Sequence, residues 1–485
     1  METRQPESRS TEEEIGAIVR RVLDQLGHTT APAADRRSPD PAGLGDGLFD
    51  DIESAVAAAA EAFHRLEAMP LAVRAGIIAA MRKAARENAR HLARMAWEET
   101  GMGRPEDKEQ KNLLVAEKTP GTEILTPVAR SGDHGLVLME RAPYGVVGAI
   151  TPSTNPTSSI LCNGIGLVAA GNATVFNAHP AARRCSAETV ALLNRAIVAA
   201  GGPPNLLCAP LRPTIESAQA LMKHPDVRLL VITGGPGVVR VAMQSGKKAI
   251  CAGPGNPPVV VDETADIEKA GQDIVQGASF DNNLVCVLEK EIIAVDAIAD
   301  PLKEAMGRHG AVEIPSWQLN RLTKVILEED RGPGRHGVVN KRLVGQDPHR
   351  ILKEIGVSVP EATRLVVAEA DRLHPLVWTE QLMPVIPLVR VKDADEAIDL
   401  AVQVEQGMGH TAVMHSRNIE KLSRMARCIN CSIFVKNGPS LAGLGFGGEG
   451  YTSFSIASPT GEGLTTAWTF TRERRCTLVD AFRIV

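Results

Sequence analysis

Short runs rich in valine and isoleucine alternate with helix-length segments through the middle of the chain, and this rhythm limits what the chain can fold into. Residues 145–151, 173–176, 229–233 and 258–262 are such runs, with helical stretches near 157–170, 183–200, 214–223 and 236–246 between them. Strands joined through helices need crossover connections, and crossovers build parallel sheets covered by helices on both faces. Ligands of such sheets bind at the carboxyl ends of the strands. A second set follows, with a helix at 266–278 and strands at 291–295, 364–368, 385–391, 411–415 and 432–436. At 485 residues the chain exceeds one ordinary core, so an α/β fold of two or three domains is expected. Upstream, helical patterns cover 50–66 and 71–100, with Gly101-Met102-Gly103 as the stop of the second. No internal repeat is visible.

The amino-terminal region reads differently. Thr11-Glu12-Glu13-Glu14 is a capping box with acidic residues in the first turn, and Gly27 is a natural stop. Between them Ile15, Ile18, Val19, Val22, Leu23 and Leu26 follow helical spacing, opposite Arg20, Arg21, Asp24 and Gln25. Residues 28–46 carry prolines, glycines and one large apolar residue, Leu44, which is linker composition. Residues 1–27 therefore read either as a helix docked on the core or as a detachable, partner-binding helix on a tether.

Composition removes several function classes. A formal net charge of −5 offers no general attraction to nucleic acid or to an acidic membrane surface. No run approaches the length of a membrane span, and the amino terminus has no apolar signal core. Eight cysteines (Cys162, Cys185, Cys208, Cys251, Cys286, Cys428, Cys431 and Cys476) are scattered without a dense framework, which points to a reducing cytoplasm.

Among them, Cys286 is the nucleophile candidate. Asp281, Asn282 and Asn283 break the preceding helical pattern, so Cys286 falls in a polar turn before an apolar strand. Such a turn can aim backbone N–H groups at a developing oxyanion and favour the thiolate. A small buried cysteine at a strand entrance is the alternative. The strand ends add further candidates. Thr151-Pro152-Ser153-Thr154-Asn155 runs from a strand into a helix, so Asn155 either aims its amide at a ligand or caps the helix. Thr233-Gly234-Gly235-Pro236 is a tight strand-to-helix turn suited to close approach by a phosphate or ribose. Gly443 to Gly448 spells a dinucleotide pattern without the strand and helix that give it meaning, and reads as a flexible loop. Cys428 and Cys431 have metal spacing but no second pair, and read as a helix end. His410 and His415 flank a strand at odd spacing and cannot share a metal; His415 reads as structural, with His410 free to face a site. No metal site is expected.

In order and spacing, Thr151-Pro152 through Asn155, Thr233-Gly234-Gly235, the Cys286 turn, Glu380-Gln381-Leu382-Met383-Pro384 and the glycine loop before Tyr451 resemble the aldehyde dehydrogenase superfamily over residues 49–485. Asn177-Ala178-His179-Pro180, the 252–258 stretch, Ser279 to Asn283, His410 to His415 and the tail from Leu478 to Val485 are most similar to the CoA-acylating aldehyde dehydrogenases of bacterial microcompartments, the propionaldehyde and acetaldehyde enzymes of propanediol and ethanolamine utilisation. The resemblance implies a Rossmann-type NAD/CoA-binding domain (47–132 and 148–262), a catalytic domain (263–463) and a small β oligomerisation element (133–147 and 464–485), the last combining a hairpin around 135–144 with a strand after Arg472. It implies that Cys286 attacks the aldehyde, with the Asn155 amide and the Cys286 backbone N–H on the oxyanion. Thr151, Pro152, Gly234, Gly235, Gly253 and Glu380 are implied to bind cofactor, Glu380 at the nicotinamide ribose. Asn177, His179 and Pro180 stand where hydrolytic relatives carry a lysine-containing ribose motif. NAD and coenzyme A are the implied cofactors, a homo-oligomer (dimer or tetramer) the implied assembly. Residues 1–27 resemble encapsulation peptides, which implies a shell-protein partner and a place within a microcompartment.

One departure bears on the reaction. Hydrolytic relatives hold a water-activating glutamate in a Glu-Leu-Gly-Gly motif, and here the stretch is Ala252-Gly253-Pro254-Gly255, in which no side chain accepts a proton. Without a general base, attack by water is slowed on the order of a hundredfold to ten-thousandfold. A thiol needs less help, so thioester exchange with CoA is expected to prevail unless another carboxylate, with Glu289 the nearest, substitutes. A hydrolytic dehydrogenase and a catalytically minor cargo protein are the competing readings.

Overall fold

The structure, a computed structural model, describes residues 45–485. The expected amphipathic helix and nearly all of the linker lie outside the described residues. Six parallel strands form the first sheet, in the order Leu48–Phe49, Leu207–Pro210, Ala173–Ala178, Val146–Thr151, Val227–Thr233, Lys248–Ala252. Val146–Thr151 and Ala173–Ala178 are buried along their whole length, as central strands covered on both faces must be. The helix Pro156–Ala169, buried at every position, covers one face beneath Leu71–Glu87 and Arg183–Ala199. From Val146–Thr151 the chain builds outward to one side, then returns to add Val227–Thr233 on the other. The strand order therefore reverses there and opens a crevice beyond Thr151 and Thr233.

Seven parallel strands form the second sheet: Ala311–Glu313, Leu365–Glu369, Val385–Val391, Glu291–Val295, Pro258–Val261, Thr411–His415, Ile433–Lys436. The run at 258–262, grouped by sequence with the first set, belongs here, between Glu291–Val295 and Thr411–His415. Its three consecutive valines are fully buried, which suits a central strand of either sheet, so the pattern alone does not choose. The edge place in the first sheet is taken by Lys248–Ala252, a strand that begins with an exposed lysine and lacks a long apolar run.

A third, antiparallel sheet joins Val128–Gly132, Gly135–Ala142 and Arg472–Val479. The hairpin expected around 135–144 is shifted upstream. Its two-residue turn is Asp133-His134, with Gly132 opposite Gly135. Two helical differences matter for the site. The pattern at 71–100 is two helices, Leu71–Glu87 and Ala89–Thr100, broken at Asn88 and stopped by left-handed Gly101. A further helix, Pro105–Lys118, gave no periodic signal because its buried face includes Lys108, Lys111 and Asn112 beside Leu114, Val115 and Ala116.

Candidate active site

After the helix Ile267–Ser279 the chain takes three left-handed residues in succession, Asp281, Asn282 and Asn283, with φ of 45°, 53° and 66°. Asp and Asn tolerate this region because their short polar side chains bond locally or to the surrounding backbone. All three are buried and fully engaged. Asp281 accepts from the Arg104 N–H at 2.8 Å and donates its own N–H to Asp107. Asn282 donates to the Gly345 carbonyl at 2.9 Å and accepts from Arg104 Nε at 2.8 Å. Asn283 donates to the carbonyls of Ala278 and Glu289 and accepts from Lys290 Nζ. This turn delivers the partly buried Cys286 just ahead of Glu291–Val295.

Backbone N–H groups of Cys286 and Val287 lie against its sulfur and favour its charged form. The expectation of a favoured thiolate is corrected. Burial first, and then the Glu380 carboxylate, push the thiol up to about 12, and Lys290 only moderates the rise. Lys290 is buried, lowered by burial, and donates to the Asn283 carbonyl at 3.1 Å.

Asn155 occupies the N-cap position of Pro156–Ala169, yet its side chain makes no capping bond. Its Oδ1 instead accepts from Lys111 Nζ at 2.6 Å, and its Nδ2 lies 3.2 Å from Thr154 Oγ1. Lys111 Nζ also donates to Asp281 Oδ2, where Lys108 Nζ adds a second ammonium at 3.1 Å. The helix Pro105–Lys118 thus ties Asn155 to the turn that carries Cys286. Glu380 is buried, with Oε1 accepting from the Gly255 N–H at 3.4 Å and its own N–H donating to His336. Gly255 is where the elements meet: a Cβ there would lie 2.7 Å from the His410 ring and 3.1 Å from the Cys286 carbonyl oxygen. His410 is therefore at the site, neutral because burial and Lys290 hold it down at about 4. His415 sits away from it, with Nδ1 3.9 Å from Asp273.

The remaining candidates line the carboxyl edge of the first sheet. Thr151 is buried with a hydroxyl that has no partner among the described residues, and Pro152 follows it half-buried. Gly234 donates its N–H to the Ala252 carbonyl, and Gly235 opens the helix Pro236–Met243, with nothing within 4 Å of where a Cβ would stand. Gly253 abuts Pro459. An orphaned hydroxyl and an open glycine edge suit the hydroxyls and phosphates of a nucleotide. Asn177 is at the same edge but is committed: Nδ2 donates to the Thr214 carbonyl at 3.3 Å and Oδ1 accepts from Ser217, so its amide braces a helix start. His179 caps its own turn through Nδ1, with Pro180 as the first residue of that turn.

Glu289 is committed to Ser440. Both carboxylate oxygens accept from Ser440, its N–H at 2.7 Å and its hydroxyl at 2.8 Å, while burial raises the group to about 7. The glycine loop, read as flexible, is pinned: Lys118 Nζ donates to the carbonyls of Gly445 and Gly448, and Phe446 packs on Phe280 of the nucleophile turn. Cys428 ends the helix Ile419–Cys428, and no group of three or more metal-ligating side chains occurs among the described residues. Lys108, Lys111, Lys118 and Lys290 escaped the sequence reading. A lysine carries no signal of burial, and only the spacing of Lys108 and Lys111, one helical turn apart, hinted at a shared face.

Two parallel sheets, one of them reversing its strand order beyond Thr151 and Thr233, together with the buried cluster of Cys286, Glu380 and Gly255, define an α/β protein with an enzyme-like cleft. The sequence profile of the aldehyde dehydrogenase family matches residues 45–311 and 362–470, and the chain belongs to that family. Acetaldehyde dehydrogenase (acetylating) EutE of Salmonella typhimurium is 49% identical over 477 residues, covering 98% of this chain and 100% of that protein. The crystal structure of Rhodopseudomonas palustris propionaldehyde dehydrogenase with bound CoA and an acylated cysteine superposes with a TM-score of 0.87 at 50% identity, covering 90% of this chain and 99% of that one. A propionaldehyde dehydrogenase from the Clostridium phytofermentans fucose utilisation bacterial microcompartment gives a TM-score of 0.88 at 48% identity, covering 90% and 100%.

Proposed function

We propose that the chain is a CoA-acylating aldehyde dehydrogenase, converting a short-chain aldehyde such as acetaldehyde or propionaldehyde, with NAD and CoA, to acyl-CoA and NADH. The observation that carries this reading is the absence of a carboxylate where hydrolytic relatives hold their water-activating glutamate. Ala252 to Gly255 offers no side chain that takes a proton, and Glu289 spends both oxygens on Ser440. Hydrolysis of a thioacyl enzyme is then unassisted, whereas a thiol attacks readily.

Cys286 gives up its thiol proton to solvent and bonds through sulfur to the aldehyde carbon, and the carbonyl π pair moves onto oxygen. The Asn155 NH2 group and the Cys286 N–H hold that oxyanion; loss of one such donor typically costs about 100- to 1,000-fold in rate. Collapse of the oxyanion re-forms the carbonyl and expels hydride, leaving a thioester on Cys286. NAD, when bound along the edge that carries Thr151, Pro152, Gly234, Gly235 and Gly253, supplies the hydride acceptor. Glu380 would orient its ribose, and Asn177, His179 and Pro180 would border its adenosine end. The sulfur of the CoA thiol then adds to the thioester carbon, the bond to Cys286 breaks, and the CoA proton passes to the departing Cys286 sulfur, which restores the thiol.

The chemistry falls to the seven-stranded sheet, nucleotide handling to the six-stranded sheet, and association to the third. Arg472–Val479 is exposed along its length, as are Phe482, Ile484 and Val485, which supports a dimer or tetramer built through that sheet. Residues 1–27 act as an encapsulation helix that binds a shell protein and places the enzyme in a cytoplasmic microcompartment. The decisive experiment follows NADH and product with aldehyde and NAD, with and without CoA. Acyl-CoA formed in proportion to NADH, with little turnover when CoA is omitted, is the expected result; equal turnover to free acid without CoA would make the enzyme hydrolytic.

A further inference from the structure

Asn155 can serve an oxyanion only if its NH2 end, and not its carbonyl end, faces the oxygen of the reacting carbonyl. An amide side chain has two nearly isosteric orientations, so something must choose between them. Lys111 is placed to choose. Its ammonium is donor-only, and it lies 2.6 Å from Asn155 Oδ1. Turning the amide over would set NH2 against ammonium, two donors with no acceptor between them. Lys111 in turn is held by Asp281 Oδ2, on the left-handed turn that presents Cys286.

A purely structural ion pair accounts poorly for this arrangement. Asp281 is already served by Lys108 at 3.1 Å and by the Arg104 N–H at 2.8 Å. Lys111 is about as buried as Lys108, and a second ammonium beside one carboxylate is costly to desolvate. Burial, with the Lys108 charge adding to it, brings Lys111 down to about 8 despite Asp281. What Lys111 adds, and Lys108 does not, is the bond to Asn155.

We propose that Lys111, braced by Asp281, is a positioning residue that fixes the Asn155 amide with its NH2 end toward the oxyanion formed at Cys286. This rests on the oxyanion role given to Asn155 above. The same bond network fixes the distance between the amide and the nucleophile turn, since one ammonium touches both.

The test is a double-mutant cycle on the full-length enzyme, using Asn155→Ala, Lys111→Met and the double variant, with kcat measured under saturating aldehyde, NAD and CoA. Lys111→Met leaves Asp281 paired with Lys108, so the fold is retained. The single variant is expected to lose roughly tenfold to a hundredfold in kcat, the scale of a misplaced catalytic group, with the KM for NAD unchanged. In the Asn155→Ala background the same substitution should change kcat by less than about twofold, because the group it acts through is gone. Should Lys111→Met fail to accumulate as folded protein, Lys111→Gln enters the same cycle; its amide can still donate to Asn155, so a smaller loss, again confined to the Asn155 background, is expected. Unchanged kcat in the single variant, or equal losses in both backgrounds, overturns the inference while leaving the reaction intact. If Asn155→Ala itself turns over normally, the oxyanion assignment fails and the inference falls with it.

Discussion

At Cys286, the proposed nucleophile, two opposing demands meet. The nucleophile must become a thiolate, yet it sits beside Glu380, whose carboxylate, after burial, is the next largest cause of a raised thiol. Both causes push the Cys286 thiol toward its protonated form. The sign is simple: a negative neighbour disfavours a second negative charge, so removing it lowers the thiol pKa. Glu380→Gln should then raise the rate of iodoacetamide alkylation of Cys286 at pH 8 several-fold, because each unit of pKa is a factor of ten in thiolate below the pKa. Cys286→Ala supplies the background labelling to subtract. An unchanged or slower rate would mean that burial alone sets the thiol and that Glu380 has no electrostatic hold on it.

At the scale of elements, the site depends on one close approach between a helix stop and the nucleophile turn. Gly103, three residues beyond the end of Ala89–Thr100, has a φ of 75° and donates its N–H to the Gly345 carbonyl. A Cβ on it would stand 2.0 Å from Asp281 Oδ1 and 3.0 Å from Leu284 Cδ1. Gly103→Ala is therefore expected to destabilise the protein by about 2–4 kcal/mol, combining the left-handed penalty of a non-glycine residue with overpacking against a buried carboxylate. Because Asp281 is what must move, activity should fall further than the loss of folded protein explains. Denaturant unfolding beside kcat per folded molecule checks both; a stable, fully active variant would show that the turn yields without cost. The turn residues Asp281, Asn282 and Asn283 were legible in the sequence as a break before Cys286, since three successive Asx residues suit neither helix nor strand. The helix Pro105–Lys118 was not legible. Its buried face is polar, and periodicity detects only apolar burial.

At the scale of the whole molecule, the proposed division of labour separates chemistry from address. Residues 1–27 carry an apolar face of Ile15, Ile18, Val22 and Leu26, too short to be a stable helix alone, since isolated helices below about 12–15 residues are marginal in water. Deleting residues 1–27 should leave the activity of purified enzyme nearly unchanged while removing it from isolated compartments, and Ile18→Glu with Leu26→Glu should do the same by charging the face. A large loss of purified activity on deletion would assign the segment to the enzyme's own core. The sequence alone was enough for the α/β class, for Cys286, Asn155 and Glu380 as candidates, and for the absence of a carboxylate from Ala252 to Gly255, because each is a matter of local pattern or of residue type at a motif position. Which sheet takes the strand Pro258–Val261, that Asn177 braces a helix start, that Glu289 is spent on Ser440, and that two lysines share Asp281 were decided only by tertiary structure. Strand partners and buried charges are chosen by groups distant in sequence, Lys111 and Asp281 lying 170 residues apart, and no local pattern encodes a partner at that distance.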